Sequence, residues 1–283
     1  MKITETVFDG LAALDCRTER LHLILVTEVG PRIAWLSFDG GEENLLFWKK
    51  DSCTSGEWTL YGGHRVWLTR PLADESQDTY AGDNEPCAVS MGEDWVRAVA
   101  PAHPFTKLER GLRIEEQPGA CVKVTGFVRN AGSLIYSGGV WTPTCIDPTD
   151  RELRIPLGED DVTWDVVKVV IPRIFAGNEV RLDDEQVTFE GRDLVVRSRG
   201  HVTKRCAAAP KGRVEMICPR QKIRFCKTAV WHRDGRYPLD GCNVALFVGE
   251  NNWMGELETY GRERSIHPGE TLEHTETWTL ERL

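Results

Sequence analysis

The chain has 283 residues, 41% of them hydrophobic and 28% charged, with a net charge of −9. That balance belongs to a globular chain, not a disordered or membrane-embedded one, and its acidity argues against a nucleic-acid partner, which needs clustered Lys and Arg. The longest apolar stretches, such as Leu23 to Val26 and Val166 to Ile171, are far too short to span a bilayer.

In chain order, the opening MKITETVFDG carries no apolar signal core, which sets the expectation of a cytoplasmic protein. His22 to Thr27 and Arg32 to Phe38 read as strands around the turn Glu28-Val29-Gly30-Pro31, and Asn44 to Trp48 as a further short run. Cys121 to Val128 alternates, Val162 to Ile171 is β-branched, and Val187 to Phe189 and Leu194 to Arg197 flank a hairpin turn. Asn243 to Val248 and Trp253 to Thr259 flank another. In the last strand, Thr271 to Leu280, the residues Leu272, Trp278 and Leu280 share a face opposite a Thr/Glu row. No amphipathic helix longer than two turns, no linker and no 20–50-residue repeat emerges. The expectation is an all-β chain: one large antiparallel sandwich over residues 1–283, with few or no helices, whose open face takes a ligand.

The nine cysteines form no CxxC pair, and their odd number fits buried thiols of an intracellular protein, not a disulfide framework. The seven histidines form no HxH, HExxH or HxxxH pair, so no metal is expected from them, although Asp and Glu oxygens leave one open. GxGxxG, GxxxxGK[ST] and GxSxG are absent, and no cofactor is demanded.

Two segments can carry chemistry. The first is Tyr61-Gly62-Gly63-His64-Arg65-Val66-Trp67, then Arg70-Pro71, followed by the acidic and amide-rich Asp78 to Pro86. It offers a titratable ring in His64, a forked donor in Arg65 and an aromatic face in Trp67; a guanidinium can clamp vicinal hydroxyls or a carboxylate. The second is Gly255-Glu256-Leu257-Glu258-Thr259-Tyr260-Gly261, then His267-Pro268-Gly269-Glu270. In a strand Glu256 and Glu258 point the same way, about 6–7 Å apart, and on a dry face their repulsion raises one of them toward the range of a general base. On a wet face both are simply solvated.

The ordered series Glu28-Val29-Gly30-Pro31-Arg32-Ile33, Asn44-Leu45-Leu46, the Glu-bearing strand Glu256 to Tyr260, Pro268-Gly269-Glu270 and Trp278-Thr279-Leu280 resembles the galactose mutarotase-like (aldose 1-epimerase-like) superfamily. Gly62 to Trp67, Asp83-Asn84-Glu85-Pro86, Val128-Arg129-Asn130, Val140-Trp141-Thr142 and Tyr237-Pro238 resemble a less well described branch of it. The resemblance implies a β-supersandwich and a small-molecule carbohydrate as partner. It also implies general acid/base isomerisation at the anomeric centre, with Glu258 matching the family's carboxylate base. The family's acid, usually a histidine on a middle strand, has Trp141 in its place here, and His64 from another strand is the candidate substitute. Arg32, Arg65, Trp67, Asp83, Asn84, Trp141, Glu256 and Lys211 are candidate sugar contacts. Two alternatives stand beside the isomerase. One is a lyase or glycoside-cleaving enzyme using Arg65 on a sugar carboxylate. The other is a non-catalytic binding module in which Trp67, Trp141 and Trp253 stack on sugar. Oligomeric state is left open.

Overall fold

The strand Thr271–Arg282 shows how period-two alternation builds the molecule. Its even positions Leu272, His274, Glu276, Trp278 and Leu280 are buried, while Thr271, Glu273 and Thr275 face solvent. Two of the five buried positions are therefore ionisable, which the apolar/polar pattern of the sequence does not announce. The computed structural model describes residues 1–50, 52, 54–55, 58–70, 79–80, 82–158, 167–175 and 177–283.

Thr271–Arg282 lies at the centre of a ten-stranded antiparallel sheet, between Ile223–Ala229 and Cys121–Asn130. Opposite it runs a six-stranded antiparallel sheet, ordered Lys168–Val170, Thr203–Ala208, Val244–Val248, Gly255–Tyr260, Val140–Ile146 and Trp67–Leu68. A four-stranded N-terminal meander, Lys2–Phe8, Leu11–Arg17, Leu21–Val26 and Arg32–Phe38, extends that second layer. The joint between the two is His64, whose backbone bridges Ile33 on one side and Thr144 on the other. Leu23 and Ile33 from the meander, Val140 and Leu257 from the six-stranded sheet, and Val122 and Trp278 from the ten-stranded sheet meet in one buried core. Each such side chain contributes about 1.5–3 kcal/mol of transfer free energy, so the sheets are held face to face chiefly by their inward rows.

The fold is thus an all-β sandwich of the expected kind. Helical structure among the described residues is confined to short turns at Pro238–Gly241 and Glu250–Asn252, and no helix is long and apolar enough to cross a membrane. The strand boundaries read from sequence hold within one or two residues, with one exception. Asn44 to Trp48 is not a strand: Asn44 instead bonds the backbone of Ala34, Leu36 and Leu46, holding the segment as an irregular cover. Of Val162 to Ile171, residues 162–166 lie outside the described residues, and Lys168–Val170 is a strand.

Candidate functional site

The six-stranded sheet has one face toward the core and one away from it, and register fixes which residues share the second. On Gly255–Tyr260, Leu257 joins the main core and Thr259 bonds Glu276 and His274 of the opposite layer. Glu256, Glu258 and Tyr260 therefore point the other way. Their cross-strand partners are Cys145, Pro143 and Trp141 on one side, with Phe247 and Ala245 on the other. One strand further out, Lys204 and Cys206 oppose Phe247 and Ala245, and at the far edge Trp67 opposes Trp141. Two carboxylates, a lysine and a row of aromatics thus occupy one sheet face.

Each carboxylate is paired. Lys204 Nζ lies 2.5 Å from Glu258 Oε1 and 2.7 Å from Oε2. Oε2 also accepts from Trp141 Nε1 at 3.1 Å and from the Tyr260 hydroxyl at 2.6 Å, whereas Oε1 accepts from Lys204 alone among the described residues. Glu256 Oε1 accepts from Arg65 Nη2 at 2.7 Å and from the Cys145 thiol at 3.6 Å. Glu258 has no exposed surface and Glu256 retains 6%. Burial raises the Glu256 carboxyl above its ordinary range; Arg65 offsets part of this, and the neighbouring Glu258 adds to it.

The aromatic row is continuous. Trp141 stacks on Tyr260 at 5.6 Å with 17° between planes, Trp67 meets Trp141 edge-on at 4.9 Å, and Tyr80 and Trp58 continue it. The Arg65 guanidinium lies 4.2 Å from the centre of the Trp67 ring, and Lys204 Nζ lies 4.3 Å from that of Phe175.

His64 does not join this face, which corrects its pairing with Glu258. Arg65 and Trp67 share the site face, so period two sends His64 and Val66 to the core side, where Val66 belongs to the main core. The His64 Nδ1 atom pairs with Thr144 Oγ1 at 2.8 Å, and the ring packs edge-on against Trp278 at 4.7 Å. Burial pushes it down to about 3, so it is a neutral core imidazole. It sits 3.8 Å from Glu276, the hub of an inter-sheet network. Glu276 accepts from Lys227 at 2.9 Å, Thr142 at 2.9 Å, Thr259 at 2.5 Å and Trp278 at 2.8 Å. Burial is the largest influence on its carboxyl and works upward, but Lys227, His64, His274 and the Thr259 hydroxyl together outweigh it and hold the group at about 2. Lys227 in turn donates to the backbone carbonyls of Thr142 and Leu257, tying the strands of Trp141 and Glu258 to the opposite layer.

Arg32 and Asp83 likewise spend their polar atoms inside the protein. Arg32 donates to the carbonyls of Val29, Leu60, Gly62 and Asp83 and to Asp83 Oδ2 at 2.7 Å. Against the upward push of burial, Arg32 and then Arg65 hold the Asp83 carboxyl below its usual range. Asn84 closes a two-bond clasp on the backbone of Thr59. Lys211 is exposed in the turn between Thr203–Ala208 and Arg213–Cys218, and Trp253 is exposed beside Phe47. Of the segments singled out above, Pro71, Asp78 and Ala81 lie outside the described residues.

Sequence reading missed Lys204 and Tyr260. The only local signal for Lys204 was its parity with Cys206 and Ala208 in the strand Thr203–Ala208. A surface cleft of about 410 Å³, lined by His232, Arg262, Arg264, Glu273 and His274 among others, lies apart from this face and holds none of its ion pairs. Chemistry and this cleft are thus in different places, and the paired carboxylates mark the stronger candidate.

No protein-family model and no curated protein matches the sequence. Solved structures do. One is a candidate aldose 1-epimerase from Escherichia coli K12, at 12% identity and TM-score 0.66, with 100% of both chains covered. Another is a galactose mutarotase-like protein from Clostridium acetobutylicum, at 8% identity and TM-score 0.63, covering 100% of this chain and 99% of that one. A third is a galactose mutarotase related enzyme from Lactobacillus acidophilus, at 11% identity and TM-score 0.62, covering 95% and 97%. At these identities the likeness is one of fold, and the chain has the galactose mutarotase-like fold.

Proposed function

We propose that the outer face of the six-stranded sheet handles a carbohydrate and that the protein is an aldose 1-epimerase-like isomerase. The observation that carries this reading is the pair of carboxylates on one strand face, each bound to a different cation and flanked by stacked aromatics. Aromatic faces suit sugar C–H groups, and charged forks suit hydroxyls. The mutarotase-like fold of the neighbours supports a sugar as ligand class.

The environments of the two carboxylates divide the work. Glu258, with the Lys204 ammonium on both oxygens, acts as base through Oε1, the oxygen with fewer partners. It takes the proton of the anomeric hydroxyl; the electron pair left on that oxygen forms the carbonyl as the bond from the anomeric carbon to the ring oxygen breaks. Glu256, whose carboxyl is raised, donates its proton to the departing ring oxygen, the task His64 cannot perform from the core side. Rotation about the opened chain and reversal of the steps give the other anomer.

Anomer exchange across a panel of aldoses and sugar derivatives tests this. Wild type is expected to accelerate exchange over buffer, and Glu258→Gln and Glu256→Gln to lose most of it. No acceleration, or full activity in Glu258→Gln, refutes the isomerase. Because both carboxylates already carry protein cations, a binding module is the second reading. Saturable sugar binding without exchange selects it.

A further inference from the structure

Arg65 is fully buried, yet its Nε and Nη1 have no hydrogen-bond partner among the described residues, and neither has Trp67 Nε1. Nε carries one N–H, Nη1 two, and the indole one. The guanidinium lies over the Trp67 ring, so these donors belong to one place on the site face. Leaving charged N–H groups unpaired in a dry interior is costly, and only Nη2 is offset, by Glu256.

On the carbohydrate reading above, we propose that Arg65 and Trp67 receive the carboxylate of a sugar acid that keeps its anomeric centre, so that the ligand class is a uronate and not a neutral hexose. The argument is one of complementarity. The buried unpaired set consists of donors alone. A sugar hydroxyl brings a hydrogen of its own that needs an acceptor; Glu256 Oε1 is already occupied by Arg65 Nη2 and Cys145 Sγ, and in the reaction above the other oxygen of Glu256 carries the proton given to the ring oxygen. A carboxylate brings acceptors only, in a plane that matches a guanidinium. A phosphate would bring close to two charges, and the other cations nearby are committed: Lys204 to Glu258, Arg32 to Asp83. A single negative charge fits the single cation at this place on the face that, among the described residues, has donors to spare. The second anion beside Glu256 also favours a proton on that carboxyl, which is the form the proposed acid needs.

The test is a tryptophan-fluorescence titration of the full chain at fixed ionic strength. The probes are D-glucuronate, D-galacturonate, D-glucose, D-galactose and D-glucose 6-phosphate. Uronates are expected to bind at least about ten-fold more tightly than the neutral hexoses, the gain of one charge-assisted contact. Arg65→Gln should bring uronate affinity down to that of the neutral sugar. Trp67→Phe, which keeps the ring and removes one donor, should weaken uronate by a smaller factor with circular dichroism unchanged. Neutral hexoses binding as tightly as uronates overturn the sugar-acid class and leave the carbohydrate site standing, as does tighter binding of the phosphate. If no probe binds, this inference and the carbohydrate reading both fall.

Discussion

Trp141 donates its indole N–H to Glu258 Oε2 at 3.1 Å, from the strand position where the mutarotase-like pattern leads one to expect a histidine. The ring also stacks on Tyr260, whose hydroxyl bonds the same oxygen at 2.6 Å. Trp141→Phe retains the stacking and deletes one bond to a charged acceptor. The expected loss is about 1.5–3 kcal/mol, read from urea unfolding midpoints. Wild-type stability in this variant contradicts the bond.

Lys204 and Glu258 have no exposed surface, so removing one partner strands the other charge. Lys204→Met should destabilise by about 3–5 kcal/mol, whereas the double variant Lys204→Met/Glu258→Leu should regain most of that loss. A double-mutant cycle from urea unfolding checks it, and purely additive losses would show that the two charges do not depend on each other.

Acid should unfold this protein through its core histidines. Burial pushes His64 down to about 3 and His274 to about 4, from an ordinary 6.5. The unfolded chain therefore binds these protons first. Stability is full above about pH 6.5 and is lost as pH falls toward the folded values. Glu276, held at about 2, adds the same sign lower down: its contribution is present above about pH 4.5 and lost below. Glu256 works in the opposite direction, because its raised carboxyl holds a proton in the folded state as pH rises through its window. His274→Asn isolates one term. Between pH 6 and 4.5 its unfolding free energy should depend on pH less steeply than wild type by about 1.4 kcal/mol per unit. Identical slopes would place the titration elsewhere.

The Gly62-Gly63 pair places Arg65 and Trp67 by letting two backbones touch. Gly62 has φ 101° and Gly63 φ 71°, and a Cβ on them would meet Phe47 O at 2.4 Å and Ile33 O at 2.5 Å. Gly62→Ala and Gly63→Ala should each cost more than about 1 kcal/mol in thermal or urea unfolding, and more than Gly269→Ala, which carries the same positive-φ strain at 85° but whose Cβ would meet nothing. Equal stability of Gly62→Ala and wild type would contradict the close approach.

Much of the plan was legible beforehand. Alternation in Cys121–Asn130 and Gly255–Tyr260, and turn chemistry at residues 190–193 and 249–252, are local properties, and they gave strands and their faces. The failures have one cause. Asn44 to Trp48 is apolar enough for a strand, but the Asn44 side chain bonds the neighbouring backbone at Ala34 and Leu36, and the segment pairs only through a bridge at Trp48. Glu276 has the parity of Leu272 and Trp278, but nothing local says that a carboxylate can be buried there; Lys227, from the neighbouring strand, makes its burial tolerable. His64 looked like a site residue because it adjoins Arg65, although alternation sends adjacent residues to opposite faces.

By itself the sequence determined an all-β chain and put Glu256 beside Glu258 on one side of one strand, because side-chain direction in a strand repeats every two residues regardless of what lies around it. Tertiary structure decided the rest. Which cation meets each carboxylate depends on the register of neighbouring strands: it brought Lys204 to Glu258, while Arg65 reached Glu256 from a segment 191 residues away. Whether a polar side chain faces ligand or core depends on which side of the layer the second sheet lies, and that second sheet is what turned His64 inward and left Arg65 and Trp67 on the outer face.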